Sequence, residues 1–508
     1  MATESSPWEP IIRGEGFTPS EKYLLKLAEK SFLNLWSYPN VFIDKKTSAT
    51  GDGKELCDLL VVCGDHILIF SDKTISWPST DSTELSWKRW YKRAIKKSVD
   101  QVRGAERWIE KFPNRIFVDS KCTQGIPVSL PPVDRRKVHS IVVALGAAEA
   151  CEKYRQDGVS SFRVVPSIRD DEHIEGDPTR PFCVGDVDTS GSFVHVLNDA
   201  TLDIVMKEFD TISDFTSYLE KKEIFLRSGR LGEASGEEEL VSHYVRNMNS
   251  EGDHDFVFND DDGEALDIDF GGYSALQVHE QYIQKKKLDE VSYVWDRLIE
   301  MFTEHILAGT SIIPDGFPAT LSDVELGVRY MTLVPRYMRR SYGEGILDVL
   351  ERSFGTQRFT RAFIPQTPGL DETAFFFMTL ARPPSDKNVE YEQYRALRRN
   401  MLEVYSAAFL QRNRQLKRVI GIATEARKPG QGGSEDLILY EQPEWTDDFV
   451  EDLEKQKKIY NIMNPENFNE YHHHDDEYPE APKSKNDVPK ANRAERRKLK
   501  ALRRRRGR

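Results

Sequence analysis

The chain has 508 residues, of which 39% are hydrophobic and 31% charged, and its formal net charge is −13. This length and composition are typical of a soluble globular protein with two or three domains. No stretch reaches the apolar length of a membrane span, and the polar N-terminal residues do not form a secretory signal, which excludes a membrane partner. The five cysteines lack paired short spacings, which argues against zinc and against a disulfide framework and predicts a cytoplasmic location.

The first predicted helix follows an extended lead-in of residues 1–17. Thr18 and Glu21 have the spacing of a capping box, and Pro19 stands at the first helical position. Glu21 is therefore expected to bond back to the backbone at Thr18. A second role for Glu21 as a metal ligand is compatible with this capping role.

A β-hairpin is predicted next. Two apolar, β-branched runs, residues 54–62 and 67–73, flank a four-residue polar break that contains Gly-Asp. This break length pairs Val62 with Ile67. Because side chains alternate along a strand, this register determines which polar groups of the hairpin share a face.

Counting back along the hairpin places Asp58 opposite Ser71, and Lys73 then shares their face. Asp72 is expected on the other face unless a bulge redirects it. A carboxylate beside a lysine suits metal-dependent phosphodiester cleavage, because the acid holds a hard cation and the lysine orients water or neutralises the phosphate. The alternative is a structural hairpin in which Asp58 and Lys73 form an ordinary ion pair.

A long helix is predicted from residue 87 to residue 112, with Gln101 as the polar member of its apolar stripe. A buried glutamine must bond something, so it is either a satisfied core amide or part of a site. The helix also carries cations, including Lys92, Arg93, Lys96 and Lys97, next to aromatic residues. Cations interleaved with aromatics suit nucleic-acid binding, whereas the alternative is a solvated charged face.

This order of elements resembles the core of the restriction-endonuclease-like, or PD-(D/E)XK, nucleases, and in particular the nuclease-related domain of bacterial proteins. The resemblance implies catalytic roles for Glu21, Asp58, Lys73 and Gln101. It also implies that Asp58 and Glu21 bind magnesium or manganese.

The chain departs from the family pattern at position 71, where Ser replaces the expected acid. A hydroxyl is a far weaker ligand for a divalent cation than a carboxylate. Three explanations remain open: Asp72 replaces the missing metal ligand if the strand bulges there, Glu21 or Glu55 migrates into the role, or the site has lost catalysis and kept a nucleic-acid-binding surface.

The rest of the chain divides at glycines and polar runs. Strands and helices alternate, which predicts the α/β class with a mixed sheet in a nuclease-like domain of residues 18–230. A linker with an acidic loop is expected over residues 231–272, and a second α/β or α+β domain of unassigned role over residues 273–465. Residues 466–508 are expected to form a disordered tail that is basic from residue 483.

The tail differs in charge from the body. Residues 483–508 contain thirteen basic and two acidic residues, a net charge of +11, so residues 1–482 carry −24. The run Arg503, Arg504, Arg505 and Arg506 is typical of an arm that contacts phosphates or an acidic partner. The alternative is that this arm folds back on the acidic body.

Together these patterns predict a metal-dependent, nuclease-like protein that hydrolyses phosphodiester bonds in nucleic acid, with DNA favoured over RNA. The second domain and the basic tail are the expected contacts for any protein partner. The alternative function is a non-catalytic nucleic-acid-binding or regulatory protein that keeps the nuclease fold.

Overall fold

The computed structural model describes most of the chain. The described ranges are residues 8–45, 51–176, 178–257, 265–313, 320–353, 356–367, 369–382, 390–426, 434–442, 444–463 and 476–479. Within them the fold is mixed α/β, with three sheets that each contain both parallel and antiparallel neighbours. The expected α/β class is confirmed.

Strands and helices alternate along much of the chain. The strands are β1 Ser37–Ile43, β2 Lys54–Cys63, β3 His66–Thr74, β4 Lys137–Leu145, β5 Arg163–Arg169, β6 Cys183–Asp186, β7 Val194–Asn198, β8 Leu231–Ala234, β9 Leu266–Ile268, β10 Arg358–Phe363, β11 Thr373–Leu380, β12 Arg418–Glu425 and β13 Glu435–Glu441. The helices are α1 Pro19–Phe32, α2 Thr83–Tyr91, α3 Lys97–Lys111, α4 Ala148–Arg155, α5 Glu172–Glu175, α6 Thr201–Glu208, α7 Ile212–Arg227, α8 Glu237–Arg246, α9 Gly272–Val278, α10 Glu280–Leu288, α11 Tyr293–Leu307, α12 Leu321–Thr332, α13 Arg336–Arg352, α14 Tyr391–Arg412 and α15 Asp447–Tyr460.

The first sheet has the strand order β1-β2-β3-β4-β7. Strands β1, β2 and β3 are antiparallel neighbours, and β4 and β7 continue the sheet parallel to β3. Val62 pairs with Ile67, so the predicted hairpin register is confirmed. The β2–β3 ladder ends at the pair Leu59 and Phe70, one step before Asp58 and Ser71.

Helices cover this sheet on both faces, which explains why its central strands are continuous apolar runs. On one face, Phe70 of β3 contacts Phe32 of α1 and Phe215 of α7, with ring centroids 6.5 and 6.4 Å away. On the opposite face lies α3. Because side chains alternate, Asp72 shares the α1 face with Phe70, whereas Ser71 and Lys73 share the α3 face.

The long helix predicted over residues 87–112 is interrupted. Helix α2 begins after the N-cap Ser82, one π-helical stretch occupies Lys92–Lys96, and α3 continues to Lys111. A π-helical turn holds an extra residue, which rotates everything that follows it, and such turns are frequent at functional sites. The π-helical stretch ends five residues before Gln101.

The region expected to be a linker, residues 231–272, is instead partly packed structure. Strands β8 and β9 join β5 and β6 in a sheet of order β6-β5-β8-β9. Helix α8 buries Leu240 and Val241 completely. These side chains fill the core of the first domain, which explains why the segment folds there.

The second predicted domain contains the sheet β10-β11-β12-β13, in which β11 and β12 are parallel and the other pairs are antiparallel. Its helices α11 to α13 also pack against the first domain. The Trp36 indole donates a hydrogen bond to Glu325 Oε1 of α12 over 2.5 Å, and Arg336 of α13 pairs with Asp210 at 2.8 Å. One hydrophobic core therefore extends from the first predicted domain into the second, and the second domain has a further core of its own between its sheet and α14.

Residues 476–479 belong to the segment expected to be a disordered tail, yet they pack against the body. Glu477 accepts a hydrogen bond from His254 at 3.1 Å and pairs with Lys285 at 3.4 Å. The Arg340 guanidinium donates to the carbonyl oxygen of Asp476 over 2.9 Å. Among the residues that the structure describes, no helix is both long enough and apolar enough to cross a bilayer.

Candidate functional site

The candidate site begins where strands β2 and β3 stop pairing. The backbone pairing of β2 and β3 ends at Leu59 and Phe70. Beyond that pair, the backbone N–H of Asp72 donates to the side-chain Oδ2 of Asp58 over 2.5 Å instead of to a backbone carbonyl of β2. Burial raises the pKa of Asp58, while the Asp72 amide and the Lys73 ammonium act in the lowering direction. The end of the hairpin thus fixes a buried carboxylate next to Lys73.

Gln101 of α3 joins the polar groups of the hairpin. Its Oε1 accepts hydrogen bonds from Ser71 Oγ and from Lys73 Nζ, each over 3.0 Å. Its Nε2 lies 3.4 Å from Asp58 Oδ1, to which it donates. The structure therefore brings together Asp58, Ser71, Lys73 and Gln101, and the predicted polar role of Gln101 is satisfied by these contacts.

Asp72 lies on the α1 face, the opposite face to Lys73. Its side chain is only 7% exposed, and neither carboxylate oxygen has a hydrogen bond of normal geometry among the described residues. Burial raises the pKa of Asp72 to about 6; the nearby Ser20 hydroxyl acts to lower it, and the charges of Asp58 and Glu21 act to raise it. Ionising a buried carboxylate that has so little hydrogen bonding is costly, which agrees with its raised pKa.

Glu21 forms the predicted capping box with Thr18, which confirms that role. The same carboxylate accepts a hydrogen bond from Asn40 Nδ2 over 3.0 Å, and Asn40 also donates to Glu55 over 2.8 Å. Burial acts to raise the pKa of Glu21, but the hydrogen bonds from Asn40 and from the backbone at Phe17 and Thr18 bring it below its ordinary value. Glu21 is therefore a stable anion at this end of the sheet.

Asn40 is a site residue that sequence reasoning missed. It lies in β1 with a φ of 48°, in the left-handed region that asparagine tolerates better than most residues. This conformation is next to the irregularity in the β1–β2 register at Val41 and Phe42. An asparagine inside a predicted strand is a weak signal for such a distortion.

The site contains more acidic groups than basic ones. Glu21, Glu55, Asp58 and Asp72 influence one another electrostatically, and Lys73 is the cation that acts on the last three. Burial is the largest cause that raises the pKa of Glu55, while Asn40 acts to lower it. Among the described residues, no three of these four acids bring their oxygens within 4.8 Å of one another. Their side chains would therefore have to move for three of them to bind one cation.

The basic helix face is only partly as predicted. Lys92, Arg93 and Lys97 are exposed, and Lys96 pairs with Asp171. The neighbouring aromatic residues are not available to stack on bases, because Trp87, Trp90 and Tyr91 are buried. They pack into an aromatic cluster with Phe162, His173 and Phe182.

The arginines Arg503, Arg504, Arg505 and Arg506, predicted to bind nucleic acid, lie outside the described residues. All five cysteines are free thiols, four of them buried. No family model, curated protein or solved structure matches this chain. The functional interpretation therefore depends on the geometry of the site.

Proposed function

We propose that the chain is a metal-dependent nuclease-like phosphodiesterase whose reaction centre lies at the diverging ends of β2 and β3. The observation that carries this proposal is the buried Asp72 carboxylate, which has no hydrogen bond of normal geometry among the described residues and whose backbone N–H donates to the Asp58 carboxylate. An unpartnered buried anion destabilises a fold unless a ligand compensates it. A cation bound by Asp72 would provide that compensation.

Asp58, Asp72 and Glu21 are the residues that would hold Mg²⁺ or Mn²⁺. Such an ion would polarise a phosphoryl oxygen and lower the pKa of a bound water molecule. Asp72 would supply its ligand from the α1 face, because β3 pairs with β4 without a bulge that would turn Asp72 toward the side of Ser71 and Lys73. Ser71 is fully buried and its hydroxyl donates to Gln101, so it belongs to the support of the site rather than to its ligands.

Lys73 is the residue that would act on the phosphate. Its ammonium is half-buried and held by Gln101 Oε1, which limits its position to the end of the hairpin. A lysine fixed in this way can donate to a nucleophilic water and neutralise charge that develops on phosphoryl oxygens. Gln101 is a positioning residue in this scheme, because it contacts both Lys73 and Asp58.

A second function is favoured by one observation. Lys92, Arg93 and Lys97 are exposed on one helical segment, whereas the family's acid at position 71 is absent. Nucleic-acid binding without cleavage requires only that basic face and the tail, and it is salt-sensitive but independent of metal.

The decisive experiment measures Mg²⁺- and Mn²⁺-dependent cleavage of labelled single- and double-stranded DNA and RNA. We expect wild-type cleavage, strongest on DNA, and a loss of about 100-fold or more in Asp58→Asn and Lys73→Met. The exposed residues Asp134 and Lys111 provide the matched controls Asp134→Asn and Lys111→Met, which should retain activity.

Circular dichroism at the same concentration verifies that each variant is folded. Equal cleavage by wild type and by both site variants would contradict the assignment of the reaction centre. Absence of cleavage together with salt-sensitive binding by all variants would contradict catalysis and support the second function.

A further inference from the structure

A second polar cluster lies at the opposite end of strand β3. It consists of His66 at the start of β3, His139 near the start of β4, and Glu220 in the middle of α7. Strands β3 and β4 are parallel neighbours in which Leu68 pairs with His139. His66 and His139 therefore point to the same face, the face that α7 covers.

Three ligand atoms of this cluster converge. His66 Nδ1 lies 3.0 Å from His139 Nε2, and Glu220 Oε1 lies 3.7 Å from the first atom and 3.9 Å from the second. In the plane of these three atoms, one point lies about 2.1 Å from each of them. That distance is the length of Zn–N and Zn–O bonds. The three atoms therefore surround a position that fits a transition-metal ion.

The chemistry of the donors agrees with this geometry. The side chains of His66 and His139 are 19% and 6% exposed, and burial favours the neutral imidazole that binds metals. Glu220 Oε1 is buried and receives no hydrogen bond of normal geometry, although the Lys137 ammonium is 3.0 Å away. Lys137 is half-exposed, so it has room to move from this oxygen into solvent.

We propose that His66 Nδ1, His139 Nε2 and Glu220 Oε1 form a binding site for a divalent transition metal, with zinc preferred. Imidazole nitrogens favour zinc over magnesium, and two histidines with one carboxylate leave a fourth tetrahedral position for water. The site is separate from the proposed reaction centre, because His66 precedes Ser71 by five residues of the same strand, about 17 Å. It does not depend on the proposed nuclease function.

No short-range sequence pattern indicates this site. The two histidines are separated by 73 positions, and only the parallel pairing of β3 and β4 brings them together. The lack of paired cysteine spacings argues only against zinc sites built from cysteines, and this site contains none. The competing explanation is a hydrogen bond between neutral imidazoles beside an ordinary ion pair of Lys137 and Glu220.

The test uses the full chain with His472, His473 and His474 replaced by alanine, because that tract also offers imidazoles. Zn²⁺ affinity and stoichiometry are measured by competition with a chromogenic chelator, and Co²⁺ is added separately to record the visible absorption of a tetrahedral site. We expect one tight equivalent of Zn²⁺ and an intense Co²⁺ band. Glu220→Gln and His66→Gln should each weaken binding by at least about 10-fold.

Two further variants separate a metal site from an ion pair. The exposed Glu149 provides the control Glu149→Gln, which should not change Zn²⁺ affinity. Lys137→Met should strengthen Zn²⁺ binding several-fold, because it removes the cation that competes for Glu220. The proposal is overturned if the chain binds no Zn²⁺ equivalent, or if Glu220→Gln and His66→Gln bind Zn²⁺ as the parent does.

Discussion

Asp72 and Asp436 are buried aspartates in two different mixed sheets of the molecule, and their surroundings are opposite. Asp72 lies on β3 of the first sheet and is 7% exposed, without a hydrogen bond of normal geometry to its carboxylate in the described residues. Asp436 lies on β13 of the sheet β10-β11-β12-β13 and is 5% exposed. Burial is therefore almost the same, and the difference lies in the partners.

Asp436 is neutralised by two arginines of α14. Arg398 donates to Asp436 Oδ2 through Nε over 2.7 Å, and its Nη2 is 2.6 Å from the same oxygen. Arg395 Nη2 donates to Asp436 Oδ1 over 3.1 Å. This network fixes the long helix α14 against the sheet, and it leaves Asp436 without a free oxygen for a ligand.

The comparison sets a buried carboxylate that has its counter-ions inside the chain beside one that has no hydrogen bond of normal geometry in the described residues. A buried charge that has its own counter-ions inside the chain stabilises one packing of that chain. A buried charge without them lowers stability until an external cation arrives. Asp436 thus accounts for the position of α14, whereas Asp72 is the acid for which we propose an external cation.

The largest effect is expected from Asp436→Ala. This change leaves the guanidinium groups of Arg395 and Arg398 buried without their acid, and such losses cost about 3–5 kcal/mol of unfolding free energy. Urea unfolding followed by tryptophan fluorescence measures it, because Trp295 contacts Phe375 of the same sheet with ring centroids 5.2 Å apart.

The exposed Asp448 supplies the control, since Asp448→Ala should change stability by no more than about 0.5 kcal/mol. Asp436→Asn should fall between the two variants, because it keeps the shape and loses the charge. A loss below about 1 kcal/mol in Asp436→Ala would contradict the structural role of this network.

A smaller effect of opposite sign is expected from Asp72→Asn. The pKa of Asp72 is raised from 3.8 to about 6. The folded state therefore holds a proton that the unfolded state releases, and wild-type stability falls as the pH rises from about 4 to about 6. The difference corresponds to about 3 kcal/mol at higher pH, so Asp72→Asn should be more stable than wild type there and equal to it below about pH 4.

Unfolding of both proteins across this pH range, with and without Mg²⁺, measures the effect. Excess Mg²⁺ should stabilise wild type by about 3 kcal/mol at 100 times its dissociation constant and should leave Asp72→Asn almost unchanged. A variant less stable than wild type at neutral pH without metal would show that Asp72 has a partner in the fold.

Local patterns predicted the parts of the site that depend on neighbouring residues. The break length of the hairpin fixed the pairing of Val62 with Ile67, and the alternation of side chains then placed Ser71 with Lys73 and Asp72 on the other face. The capping box at Thr18 and Glu21 was also readable from four consecutive residues.

Tertiary packing decided the rest. The helix that carries Gln101 contains a π-helical stretch, and its aromatic residues turn inward because Phe162 and Phe182 offer them a core. Residues 231–234 pair with a strand about 70 positions earlier, which no local glycine pattern reveals. The resemblance to nucleases could name Asp58 and Lys73 but could not show that the Asp72 carboxylate is buried without a hydrogen bond of normal geometry in the described part of the chain.

The smallest effect is expected from Ser71→Ala, which tests whether position 71 contributes to the metal site. Ser71 Oγ donates to Gln101 Oε1, but that oxygen also accepts from Lys73, so no buried polar group is left without a partner when the hydroxyl is removed. The loss of unfolding free energy should be about 1 kcal/mol. Mg²⁺ affinity, measured by calorimetry, should equal that of wild type, since Asp58 and Asp72 are the ligands that we propose. A tenfold weaker Mg²⁺ affinity in Ser71→Ala would instead make Ser71 a ligand. The different surroundings of Ser71, which bonds Gln101, and of Asp72 would then not explain which of the two residues binds the ion.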